Sequence, residues 1–248
     1  MPLAPAYTPR QQIRTRAHGG FLDGSGLVGV VGLPKSGTNY LLALLSEAMG
    51  LNTCNYKEQG PFDGLWLTSF HNPFEDFAYR QDLLRAVYIL RDPRDIIVSY
   101  YHYARTPFYR ERVDPGCDFA DITQFYTEFF LSKVLYVYGF MTHAEEYALH
   151  NVPVIRFENL RADAEGELQR LFRRWGCSPP GDIAAAVENC RIERMRENQP
   201  ELGGTRLPSS HYRSGESGGW RKELPETVLR DVRVRFADYL RRWGYDPE

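Results

Sequence analysis

Leu27-Val28-Gly29-Val30-Val31 is a short apolar, β-branched run closed by Gly32, the pattern of a buried strand. From Thr38 the period changes: Leu41, Leu42, Leu44, Leu45 and Met49 recur at helical spacing and stop at Gly50. The pattern predicts further strands over 65–70, over 86–90 (ending abruptly in Arg91-Asp92-Pro93) and over 152–157. Helices are expected over 94–103, with Ile96, Ile97 and Tyr100 on one face, over an aromatic-rich stretch 122–149, over 164–175 and over 226–243. No repeat or low-complexity linker interrupts the chain. Strands alternating with helices imply a mostly parallel sheet covered on both faces, hence one α/β domain over 27–248. Residues 1–26 lack periodicity and read as an N-terminal arm.

The 248 residues are 43% apolar and 25% charged, an ordinary globular composition. Thirty basic against 32 acidic residues leave a formal charge of −2, which argues against a general nucleic-acid or membrane binder while leaving room for a local anion site. No apolar run approaches the roughly 20 residues needed to cross a bilayer, and no apolar segment follows the N-terminal charges as in a secretory signal. Cys54, Cys117, Cys177 and Cys190 are far apart, which fits reduced thiols in a cytoplasmic protein. Of the basic residues 26 are Arg, and Lys35 is one of only four Lys.

Lys35 sits in the most informative stretch. Between the first strand and first helix runs Gly32-Leu33-Pro34-Lys35-Ser36-Gly37-Thr38-Asn39-Tyr40. Such a turn aims backbone N–H groups at one spot, and the helix dipole favours negative charge there. Gly37 permits close approach, while Ser36, Thr38 and Asn39 add donors. Against the nucleoside-triphosphate loop GxxxxGK[ST], the two glycines keep their separation, but Thr38 stands where lysine belongs and Lys35 has moved ahead. Arg91 likewise follows a strand where a metal-binding aspartate would be expected.

Pro34 to Tyr40 resembles the 5′-phosphosulfate loop, PKSGTTW in many members, of cytosolic-type sulfotransferases, a P-loop nucleotide-kinase-like fold. These enzymes use 3′-phosphoadenosine-5′-phosphosulfate (PAPS) as sulfuryl donor and release adenosine 3′,5′-bisphosphate. Arg91-Asp92-Pro93-Arg94-Asp95-Ile96-Ile97-Val98-Ser99-Tyr100-Tyr101 is similar to the family segment RNPKDVAVSYY, whose Arg and Ser hold the 3′-phosphate. Arg91 at a strand's carboxyl end, with Ser99 two helical turns on, suits that role, since ligands of open α/β sheets collect there. Ile155 to Leu160 resembles the strand-plus-YEDL segment, with Phe157 in place of the tyrosine that reaches the adenine. Tyr212 to Arg221 resembles the RKGxxGDWKN loop: Arg213 and Gly215 match, and Ser214 replaces lysine. Cys190 to Met195 lies where the family has TSFxxM, with only Met195 in agreement.

The resemblance implies sulfuryl transfer to a hydroxyl or amine of a small-molecule acceptor, with no metal. Lys35 is then the cation for the leaving group, Ser99 a partner in the same site, and His71, in a segment resembling KTHLP, the general base. His102, His143 and His150 read as structural. Aromatics at Phe62, Trp66, Phe74, Phe77, Tyr79, Phe108, Tyr109 and between 119 and 130 fit either an apolar acceptor pocket or the core, and 104–112 has the composition of a lid. Of the family's C-terminal dimer segment only Thr227-Val228 remains, so oligomeric state stays open, as do acceptor identity and O- versus N-transfer. Two other readings stand beside this one: a P-loop kinase or NTPase, and a non-catalytic nucleotide-binding module.

Overall fold

The computed structural model describes residues 24–245 except 79, 81, 204 and 214. Residues 1–23 of the expected arm therefore lie outside the described residues. Four parallel strands form the central sheet: β1 (Gly26–Val31), β2 (Leu65–Phe70), β3 (Leu83–Leu90) and β4 (Val154–Arg156), in the order β2-β1-β3-β4. The register aligns Val31 with both Phe70 and Tyr88, so the carboxyl ends of β1, β2 and β3 share one rim.

Side chains alternate across the sheet. Val28, Val30, Val87 and Ile89 pack with α1 (Thr38–Met49) and the helix Ala164–Trp175 on one face. Leu27, Val31, Ala86, Tyr88 and Leu90 pack on the other with α3 (Pro93–Ala104), the aromatic 122–140 region and the C-terminal helices, while the short α2 (Phe74–Ala78) follows β2. Both faces are covered, which is why the strands read as nearly continuous apolar runs.

Several element boundaries differ from the expectation. The stretch 122–149 is not one helix. A π-helical segment, Phe125–Val134, follows one α turn, and the chain breaks after Leu135–Val137 at Gly139, whose φ of 54° takes the backbone out of the helix before His143–Leu149 resumes. The expected last helix is interrupted at Phe236, giving Glu226–Arg235 and Ala237–Arg242. The strand expected over 152–157 is reduced to Val154–Arg156, because Phe157 already opens the helix Phe157–Ala162. A two-residue antiparallel pair, Glu201–Leu202 with Thr205–Arg206, had no sequence signal.

Candidate active site

The turn after β1 is built by two glycines with different duties. A Cβ at Gly32 would lie 2.5 Å from Ser36 Oγ and 2.6 Å from the Ile89 carbonyl oxygen. Gly37 caps α1 at φ 106°, and a Cβ there would meet Cδ2 of Phe157 at 2.5 Å. Gly37 is therefore required for its conformation and for the ring beneath it, as well as for ligand approach. Between them Lys35 has a φ of 71°, a left-handed conformation that non-glycine residues hold mainly where the surroundings enforce it.

A cavity of about 240 Å³ opens above this turn. Lys35, Gly37, Thr38, Asn39, Tyr40, His71, Arg91, Ser99, Phe157, Arg213 and Gly215 all line it. Ser36 does not: its hydroxyl is buried with no hydrogen-bond partner, turned against Gly32 instead of offered to a ligand. Ser214 lies outside the described residues. The first N–H groups of α1 have no carbonyl ahead of them within the helix and face this turn.

The electrostatics of the cavity are one-sided. Lys35, Arg91, Arg161 and Arg213 line it, and among the described residues no acidic one does. Arg91 donates from Nη1 to the Lys35 carbonyl (3.1 Å) and from Nη2 to the Glu216 carbonyl (2.9 Å). Its guanidinium carbon lies 4.3 Å from the centre of the Phe157 ring, and its Nε is buried without a partner. Phe157 is thus a floor beneath Gly37 and Arg91, buried to 3% exposure. Arg213 is held at 2.9 Å by Glu223, which also bonds His102. Burial first, then the charges of Arg91 and Arg213, push the Lys35 ammonium down to about 7.

His71 follows β2 on the same rim. Its Nδ1–H donates to the Gly32 carbonyl at 2.6 Å, which fixes the tautomer and leaves Nε2 with a free lone pair. Burial lowers its pKa to about 4 against the pull of that hydrogen bond, so the ring is neutral at pH 7. Its backbone is pinned from behind. His143 Nε2 donates to the carbonyls of His71 (3.1 Å) and Asn72 (2.9 Å), while its Nδ1 accepts from the Tyr88 hydroxyl (2.9 Å). His150 stacks on Phe74 at 3.7 Å.

A second cavity of about 600 Å³ shares Asn39, His71, Tyr103 and Leu207 with the first. Most of the aromatics weighed for an acceptor pocket are core instead: Phe74, Tyr109, Phe125, Tyr126, Phe129 and Phe130 are buried together, and Phe62 and Trp66 pack against them. Tyr79 and the Phe77 side chain lie outside the described residues. Of the described members of that group only Phe108 faces the second cavity, from the short helix Pro107–Arg112 that forms within the expected lid. Its companions are Tyr56, Tyr138, Asn72, Asp76 and Arg112.

The sequence reading missed His211, Tyr103 and Arg161. Arg161 had a signal, lying one helical turn after Phe157. His211 stands two residues before Arg213, but nothing local marks its side chain as facing Lys35.

The sulfotransferase-domain family profile matches residues 62–244, about three-quarters of the chain. The chain belongs to the sulfotransferase family. This family member is 27% identical to dog sulfotransferase 1A1 over 171 residues, 64% of this chain and 55% of that enzyme, so it spans little more than half of that relative. It is 24% identical to cytosolic sulfotransferase 3 of Arabidopsis thaliana over 251 residues, 86% of this chain and 78% of the other. Among solved structures it is similar to mouse sulfotransferase SULT7A1 complexed with PAP (TM-score 0.70, 21% identity, 90% of this chain and 88% of that one). It is also similar to retinol dehydratase in complex with androsterone and inactive cofactor PAP (TM-score 0.66, 17% identity, 86% and 80% coverage). Those likenesses show the shared fold of the parallel-sheet sulfotransferases, as the sheet order and turn already indicate.

Proposed function

We propose that this protein transfers a sulfuryl group from PAPS to a hydroxyl or amine of a small-molecule acceptor. The observation that carries the reading is the cavity itself: among the described residues four cationic side chains and no acidic one converge on a helix N-terminus, beside a neutral histidine. A buried Arg91 Nε without a partner and a lysine whose charge is suppressed by burial and then by Arg91 and Arg213 both fit a polyanionic ligand. Bound there, PAPS supplies an activated sulfuryl group on a good leaving phosphate.

The chain's own residues supply the rest. Arg91, Ser99, Arg213 and Gly215 form the 3′-phosphate side. The Lys35–Tyr40 turn forms the 5′ side, with Phe157 under the base. The acceptor enters from the second cavity toward His71, whose Nε2 takes the proton as the acceptor oxygen or nitrogen bonds to sulfur and the bridging S–O bond breaks. Lys35, fully charged once anions raise its pKa again, meets the negative charge that builds on the leaving oxygen. The PAP-complexed neighbours support the donor, and androsterone and retinol on a neighbour support a small-molecule acceptor. We place the protein in the cytoplasm, since all four cysteines are free, with burial pushing Cys54 and Cys117 up to about 11. Among the described residues no helix is long and apolar enough to cross a membrane. The kinase reading is not favoured: Thr38 and Arg91 occupy the positions where the lysine and aspartate would be needed.

Arg91→Ala tests the donor assignment by calorimetry. Loss of a charge-assisted contact costs about 1.5–3 kcal/mol. Adenosine 3′,5′-bisphosphate should therefore bind roughly 10- to 100-fold more weakly, while 5′-AMP, lacking the 3′-phosphate, loses much less. Equal losses for the two ligands would make Arg91 only a clamp on the Lys35 and Glu216 carbonyls, and the assignment would fall.

A further inference from the structure

We infer that His211 is a positioning residue that holds the Lys35 amine and couples it to the segment carrying Arg213. Four observations meet at this side chain. Its Nε2 lies 3.0 Å from Asn39 Nδ2 and 3.4 Å from Lys35 Nζ. The Asn39 amide NH2 can only donate, as can the charged form of Lys35, so Nε2 carries the lone pair and Nδ1 the proton. The ring is fixed edge-to-face on Tyr103 at 5.1 Å, and Lys35 Nζ lies 4.1 Å from the centre of that same Tyr103 ring. His211 also sits only two residues before Arg213, on a segment that reaches the site from 176 residues further along the chain than Lys35.

The amine is thereby caged by groups from different elements: Tyr103 from α3 on one side and His211 on another. The charges of Arg91 and Arg213 oppose it, and His71 lines the same cavity. His71 Nε2 also keeps a lone pair free of a proton, but among the described residues it is His211 Nε2 that lies within hydrogen-bond distance of Nζ, and the arginines are donors only. Burial and the nearby lysine keep His211 itself neutral, with its pKa down at about 2, so the acceptor is present at every working pH. Its Nδ1 is buried with no partner, a cost that a residue serving only to fill space would avoid. The inference rests on the sulfuryl-transfer reading for its catalytic consequence, but the contact it names belongs to the ligand-free protein.

Two variants separate a hydrogen-bond role from packing. His211→Phe keeps a ring against Tyr103 and removes the acceptor; His211→Gln restores an acceptor oxygen near the Nε2 position. In sulfuryl transfer, the Phe variant should lose about 10- to 100-fold in kcat, the range of one hydrogen bond to a charged group. Its affinity for adenosine 3′,5′-bisphosphate should change less than about threefold, and the Gln variant should recover most of the kcat. A hydrogen bond from the ammonium favours its charged form, so the alkaline limb of the pH–rate profile should move to lower pH in the Phe variant and stay in the Gln variant. Lys35 is also followed without turnover, by NMR titration of its Nζ-adjacent carbon in the ligand-free protein. Its pKa should fall in the Phe variant alone. Wild-type kcat with an unmoved alkaline limb in the Phe variant overturns the inference, as does a Gln variant no better than Phe. A Lys35 pKa that falls in the Phe variant, together with a wild-type protein that transfers no sulfuryl group, would instead remove the functional reading and leave the contact standing.

Discussion

Anion binding to this protein should take up a proton, and Lys35 should be its destination. In the ligand-free site burial, Arg91 and Arg213 hold Lys35 at about 7, far below the ordinary 10.5. At pH 8 only about a tenth of the population is then charged, at pH 7 about half, and at pH 6 about nine-tenths. A ligand bringing several negative charges into a cavity with no acidic lining among the described residues reverses the sign of the local potential and returns the lysine toward its usual range. With the complex fully protonated, binding of adenosine 3′,5′-bisphosphate takes up about 0.9 proton at pH 8, about 0.5 at pH 7 and about 0.1 at pH 6. Affinity should fall as pH rises above about 7, approaching tenfold per unit, until the bound-state pKa is reached. The ligand itself does not confuse the measurement at pH 8, since phosphate monoesters lose their second proton near pH 6. Calorimetric titration in buffers of different ionisation enthalpy reads the uptake directly. Lys35→Met should abolish it. Absence of uptake at pH 8, or the same uptake in the Met variant, refutes the assignment of the proton to Lys35.

Three further outcomes are expected. His71→Ala should lower turnover by about two to four orders of magnitude with donor-product affinity little changed, and the deficit should shrink for an acidic nitrophenol relative to an alkyl alcohol; steady-state kinetics with both acceptors check this. Gly37→Ala should destabilise the fold by about 1–3 kcal/mol in denaturant titration, because the new Cβ must occupy a left-handed conformation and displace the Phe157 ring. Stability should fall on acidification below about pH 6.5, because the unfolded chain protonates His71 and His211 while the fold keeps them neutral down to about 4 and about 2. The slope is at most about 1.4 kcal/mol per pH unit for each ring. It should flatten in His71→Ala, as chemical denaturation at pH 5 and pH 7 would reveal.

The sequence by itself carried the parts of this protein that are local. A strand, a two-glycine turn and a helix are contiguous, and so are Arg91 and Ser99 around the start of α3; their chemistry follows from spacing along one stretch of backbone. The buried strands were legible because both sheet faces are covered, which removes polar positions from the run. Where one periodic stretch could bend, periodicity misled: the apolar spacing continues through Gly139 and Phe236, while the backbone turns there so that both sides can pack on one core. Only the tertiary structure decided which aromatics fill the core and which face the site. It likewise brought His211, Tyr103 and Arg161 to the cavity, turned Ser36 away from it, and set Lys35 near neutrality. Each of these depends on what lies across space from a side chain. Desolvation and long-range contact are sums over neighbours that folding assembles, and a pattern along the chain does not contain them.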